Sequence, residues 1–120
     1  MNLEDVREFA LSLNLAVDEM LFGGDWVNWQ VGGKWFLVVW LNAPEPRIAV
    51  KLPPDTGEEL RMFHQGVRPP YHLNKKHWND LYLNLLPDEF VKEQIRTSFR
   101  LVAASLPKKR QTELGIQTNI

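Results

Sequence analysis

All three histidines of this 120-residue chain, His64, His72 and His77, lie between Arg61 and Asn79, together with four cations, Arg61, Arg68, Lys75 and Lys76. That stretch holds no Asp or Glu, although the protein carries 15 of them. Cations interleaved with histidine, tyrosine and tryptophan suit an anionic partner, phosphate above all. The sharpest cluster is Asn74, Lys75 and Lys76. The lysines would hold phosphates as point charges, and Asn74 would hydrogen-bond a phosphate or a base edge. His72 and His77 would donate to phosphate, more strongly when protonated. Arg68 and the run Lys108–Arg110 would extend the patch, and Trp78 would stack on a base only from an exposed strand face. The same residues read equally as a solvated turn whose histidines and tryptophan fix its shape by packing.

Other chemistries find less support. His72 and His77 have only Asp80 as a nearby acid and the chain has no cysteine, whereas zinc takes three or four well-placed ligands. No metal or cofactor is expected. The chain has no G-x-S-x-G elbow, no phosphate-cradling glycine loop and no dinucleotide-binding glycine pattern. Ser98 and Ser105 fall on a helical pattern without a nucleophile motif, and a His77–Asp80 pair is too common to mark a general base. An enzyme is not expected. A second cluster, Trp26, Trp29, Trp35 and Trp40, would serve a protein partner if exposed, or a small molecule if it lined an apolar pocket.

Net charge is −1, but residues 1–60 hold 10 acids and 4 bases while residues 61–120 hold 5 and 10. A basic second half keeps double-stranded DNA as a candidate partner despite the neutral total. Two to four phosphate contacts would give weak binding, and a homodimer, placing two such turns along one duplex, would strengthen it over a monomer. The opening MNLEDVREFA has acids where a secretory leader needs bases, and no apolar run approaches the ~18 residues of a membrane span. A cytoplasmic protein without membrane attachment is the expectation.

The elements that must position these residues follow from period and punctuation. Asn2 caps a first helix with Glu4 and Asp5 in its first turn, and Leu3, Val6, Ala10 and Leu13 form its apolar face. A connection through Val17 to Phe22 reaches the Gly23-Gly24-Asp25 turn. Val27, Trp29 and Val31 alternate as a strand, Gly32-Gly33 turns the chain, and Lys34–Leu41 and Arg47–Leu52 are further strands. Asp55 with Glu58 resembles a capping box for a short helix whose apolar face is Leu60 and Phe63, weakened by Gly57. Val67–Tyr71, with Pro69 and Pro70, predicts an edge strand forming a hairpin with Trp78–Leu85, and Lys75 and Lys76 at its tip. Val91, Ile95, Phe99, Val102 and Leu106 mark a long final helix. The order α-β-β-β-α-β-β-α predicts an α+β two-layer sandwich, an antiparallel sheet covered by helices. Residues 1–114 form one domain and 115–120 a flexible tail.

Local strings within this order resemble the MmcQ/YjbR-like family of small bacterial proteins. They are the opening MNLEDVREFALSL, Phe22-Gly23, Val31-Gly32-Gly33-Lys34 with Phe36, and the Ile48–Lys51 strand. Most specific is Tyr71-His72-Leu73-Asn74-Lys75-Lys76-His77-Trp78-Asn79 followed by Leu86-Pro87-Asp88-Glu89. The resemblance implies an α–β3–α–β2–α fold like that of secretion chaperones and frataxin-like CyaY, and a DNA-binding role. The tryptophans of the first hairpin depart from the family's commoner, smaller residues.

Overall fold

The structure, a computed structural model, describes residues 1–116. The elements run α1 (Leu3–Ser12), β1 (Val17–Phe22), β2 (Trp26–Val31), β3 (Lys34–Trp40), β4 (Arg47–Lys51), α2 (Pro54–Phe63), β5 (Val67–Arg68), β6 (Trp78–Tyr82), α3 (Asp88–Ala104) and α4 (Lys108–Glu113), with a 3-10 turn at Leu83–Leu85. The fold is the expected α+β sandwich, built on one antiparallel sheet in the order β1-β2-β3-β4-β6-β5. Among the described residues no helix is long and apolar enough to cross a membrane.

Local chemistry accounts for most elements. At α1 the Asn2 side chain accepts from the Asp5 backbone N–H (2.8 Å), and the Asp5 carboxylate accepts from that of Asn2 (3.0 Å), a reciprocal cap. Gly32 and Gly33, at φ 59° and 82°, make the two-residue β2–β3 turn that side chains would resist. α2 opens differently from expectation. Pro54 starts it, the Pro53 carbonyl accepts from Gly57, and no side chain caps it, so the Asp55–Glu58 box does not form. Pro54, with φ preset, supplies the start instead. Phe63 is exposed and adds nothing to the helix's apolar face. Gly57 is there for packing: a Cβ would meet the Asn79 side chain at 2.8 Å, so its absence lets α2 close onto β6.

The sequence reading missed two elements. Val17–Phe22 is an outer strand, paired to β2 from Val17↔Val31 to Phe22↔Trp26. Four of its six residues are exposed, which erased the alternation a strand normally shows. Lys108–Glu113, read only as a basic run after the final helix, forms α4, and Ile116, at the start of the expected tail, is buried in the core. Residues 117–120 of that expected tail lie outside the described residues.

The sheet separates two layers. On the helical side Val31, Phe36, Leu37, Val39, Ile48, Val50 and Leu81 pack against the α3 stripe Val91, Ile95, Phe99 and Val102. A bulge between Trp29 and Gln30 lets Phe36 and Leu37 both face this core, while Trp35 lands on the outside. Ser98 ties helix to sheet: its hydroxyl donates to the Phe36 carbonyl (2.5 Å) and accepts from the Lys51 N–H (2.8 Å). On the other side Val38, Ala49 and Trp78 form a smaller cluster with Phe22, Trp26 and Leu73. No helix covers it.

Candidate functional site

The open face is covered instead by residues 69–77: β5 pairs antiparallel with β6 as expected, but over two residues only. β5 ends at Arg68 because Pro69 and Pro70 have no N–H to continue the ladder on β6. The chain then lies over the sheet as a strap, and Leu73 packs into the cluster with Trp78. Lys75 and Lys76 therefore occupy a turn in the strap, not the tip of a two-stranded hairpin.

That turn is well fixed. The Asn74 side chain accepts from the Lys76 N–H (2.8 Å) and the Asn74 carbonyl from the Trp78 N–H (3.0 Å). The His77 carbonyl accepts from the Leu52 N–H (2.8 Å), anchoring the turn to the end of β4. Lys75 and Lys76 are exposed and form no ion pair among the described residues. Asn74 is thus occupied in shaping the turn, and His77, half-buried, acts through its backbone. His72 is exposed, with its ring edge-on to Trp26 (5.6 Å) and Trp40 (6.4 Å). Arg68 donates to the Gln65 carbonyl (2.9 Å) and lies 4.3 Å over the Tyr82 ring. Trp78 is buried and offers no stacking face.

The remaining members of the opening cluster lie elsewhere. Arg61 donates to the Asn79 side chain, and the His64 ring packs 4.5 Å from Phe90. Lys108–Arg110 sit on α4, whose flanking Leu106 and Leu114 close around Gly32 at the β2–β3 turn. The tryptophans also divide between layers. Trp29, 3% exposed, faces the helical core and donates to Glu19 (3.2 Å), while Trp26 and Trp40 are half-buried beside His72 and Trp35 is 37% exposed. Trp29 thus lies apart, while Trp26, Trp35 and Trp40 are linked by ring contacts through Phe22.

Beneath the strap are two groups to which the sequence reading gave no role. Arg47 on β4 is buried, its guanidinium 4.6 Å from the Tyr71 ring, 5.0 Å from Trp40 and 5.9 Å from Tyr82. Its Nε lies 3.4 Å from Asp80 Oδ2 on β6, an ion pair but not a hydrogen bond, and that oxygen has no hydrogen-bond partner among the described residues. Burial pushes the Asp80 carboxyl up to about 6, against the opposing pull of Arg47 and a backbone hydrogen bond from Tyr71. Strand alternation puts Arg47 on the same face as Ala49. The pairings Arg47↔Tyr82 and Ala49↔Asp80 bring Tyr82 and Asp80 beside it.

With the strap and its sheet in place, comparison with known proteins is decisive for kinship. The YjbR family model matches residues 11–101. The chain belongs to the YjbR family. YjbR of Escherichia coli (strain K12), an uncharacterized protein, is 36% identical over 67 residues, 55% of this chain and 57% of that one, so the match spans little more than half of that relative. The uncharacterized YbdF of Escherichia coli O157:H7 is 28% identical over 92% of this chain and 95% of its own. The crystal structure of Deinococcus radiodurans protein DR2400 superposes with a TM-score of 0.91 at 30% identity, covering 99% of this chain and 91% of that one. A Pseudomonas syringae protein shares the fold, with a TM-score of 0.72 at 23% identity over 85% of this chain and 99% of its own. Kinship and fold are thereby fixed, and neither specifies a ligand.

Proposed function

We propose that this YjbR-family protein binds double-stranded DNA weakly and without reading sequence, as a cytoplasmic binding protein rather than an enzyme. The observation that carries the reading is the Lys75–Lys76 pair: exposed, without a carboxylate partner among the described residues, and held on a turn fixed by Asn74 and by the His77–Leu52 hydrogen bond. A preordered pair of cations loses little freedom when a phosphate backbone arrives. Arg68, at the end of β5, and His72, on the strap, add peripheral charge and hydrogen bonding. Two to four phosphates set the scale, with a log–log salt slope of about −2 to −4 on B-DNA. Monomer and homodimer both fit this reading, the homodimer doubling the contacts along one duplex.

Fluorescence anisotropy on a labelled generic duplex, at low and moderate salt, tests it. Lys75→Glu with Lys76→Glu should weaken binding equally across unrelated sequences and reduce the salt slope by about 2. Unchanged affinity and slope would remove the strap as a DNA site.

A further inference from the structure

Arg47 poses a problem that the lysine turn does not solve. A guanidinium carries five N–H donors, and a buried one normally spends them on carboxylates, carbonyls or water. Here the side chain is 9% exposed, and among the described residues it donates no hydrogen bond at all. Its nearest carboxylate oxygen, on Asp80, stands 3.4 Å away and is itself unsatisfied. Aromatic faces surround it, and these attract the cation without engaging its donors. None of its nitrogens is among the enclosed, unpartnered atoms, so its donors remain open to solvent or to a ligand.

That capacity borders a groove of about 340 Å³ between the β3–β4 turn and the strap. Trp40, Tyr71 and Tyr82 supply rings, Arg47 and Arg68 supply cations, and Glu45 is the one acid lining it. Rings and a fork of N–H donors in one concavity select for a planar apolar group joined to an oxyanion. A groove of this size lies within the range of small-ligand sites, from about 300 Å³ upward. The smaller cleft that reaches Asp80 holds only about 20 Å³, room for a water and not for a ring, so the ligand approaches Arg47 from the groove.

We propose that this groove binds an aromatic oxyanion of nucleoside monophosphate size. Arg47 and Arg68 take the phosphate and the base lies against Tyr71 or Trp40. Arg47, Tyr71 and Trp40 have no part in the lysine turn; Arg68 alone of the residues assigned here is shared with the duplex reading, and the site does not rest on duplex binding. A free mononucleotide and the terminal nucleotide of a strand share this chemistry.

Isothermal titration calorimetry of the full chain with AMP, adenosine and inorganic phosphate tests the site. AMP should bind about tenfold or more tightly than either fragment, because ring and phosphate are held together. Arg47→Met should lower AMP affinity by about tenfold or more. Arg47 is buried, so the exposed variants Tyr71→Ala and Arg68→Gln carry the test if Arg47→Met does not fold; each should weaken AMP by about threefold or more. AMP binding no tighter than phosphate alone overturns the proposal, as does AMP binding that Tyr71→Ala and Arg68→Gln both leave unchanged. A 5′-phosphorylated single strand binding as tightly as AMP, and its unphosphorylated form more weakly, supports the terminal-nucleotide source. A strand that fails where AMP succeeds supports the free nucleotide.

Discussion

On its helical side the sheet buries Val31, Leu37, Ile48 and Leu81 beneath α3, an interlocked apolar layer joined by Ser98 to two strands. On its other side Val38, Ala49 and Trp78 lie under an irregular strap, next to a buried arginine and a carboxylate with an unpaired oxygen. One layer is closed by shape, the other by aromatic and ionic contacts that leave polar groups unsatisfied. Regular helices can present a continuous apolar stripe, whereas a strap bearing two prolines presents single side chains. The helical face should therefore carry stability, and the strap face should carry ligands and respond to solution conditions.

The largest expected effect lies in the helical layer. Ile95→Ala, at a fully buried position, should cost about 2–5 kcal/mol by urea unfolding. Leu73→Ala on the strap should cost only about 1 kcal/mol, since that side chain is half-buried. Equal losses at the two sites would break the contrast.

Two intermediate effects sharpen it. Gly57→Ala should destabilise by about 1–3 kcal/mol, despite alanine's better helix propensity, because the new methyl meets Asn79. Asp80 gives the strap face a pH signature. Its folded value, about 6, lies above the ordinary 3.8, so the folded state favours the protonated acid. The Asp80 contribution to stability is then complete below about pH 4 and is lost as pH rises through about 6. Unfolding midpoints of wild type and Asp80→Asn across that window should diverge in favour of wild type as pH falls, by on the order of 2 kcal/mol. A constant difference would mean that Asp80 is solvated. The smallest effect on stability, within about 0.5 kcal/mol, belongs to the Lys75 and Lys76 reversals, whose consequence should appear in DNA binding alone.

The helical layer was legible in the sequence because its signals are local. The Asn2 cap, the Gly32-Gly33 turn and the Val91-to-Leu106 stripe each state their structure within a few residues. The strap was not. Pro69 and Pro70 correctly announced an edge, but whether the following residues hang free or lie across the sheet depends on Trp26, Trp40 and Arg47, far away in sequence. β1 was hidden for a related reason: an outer strand with most side chains in solvent shows no period of two. Arg47 and Asp80 could not be paired before the β4–β6 register was known, so the most unusual electrostatics of the molecule lay outside the histidine-rich stretch that first drew notice.

The outer rim of β1 bears on how this protein behaves at high concentration. β1 pairs with β2 on one side only among the described residues, and its outer edge, with Met20 and Leu21 in solvent, forms a template onto which another strand could be laid. No proline or lysine interrupts it. Asp18 and Glu19 supply its only charges, and Glu19 is already engaged by Arg7 and Trp29. Asp18 is therefore the carboxylate of this edge without an ion-pair partner among the described residues, and a neutral residue there should raise the tendency to associate while leaving the fold intact.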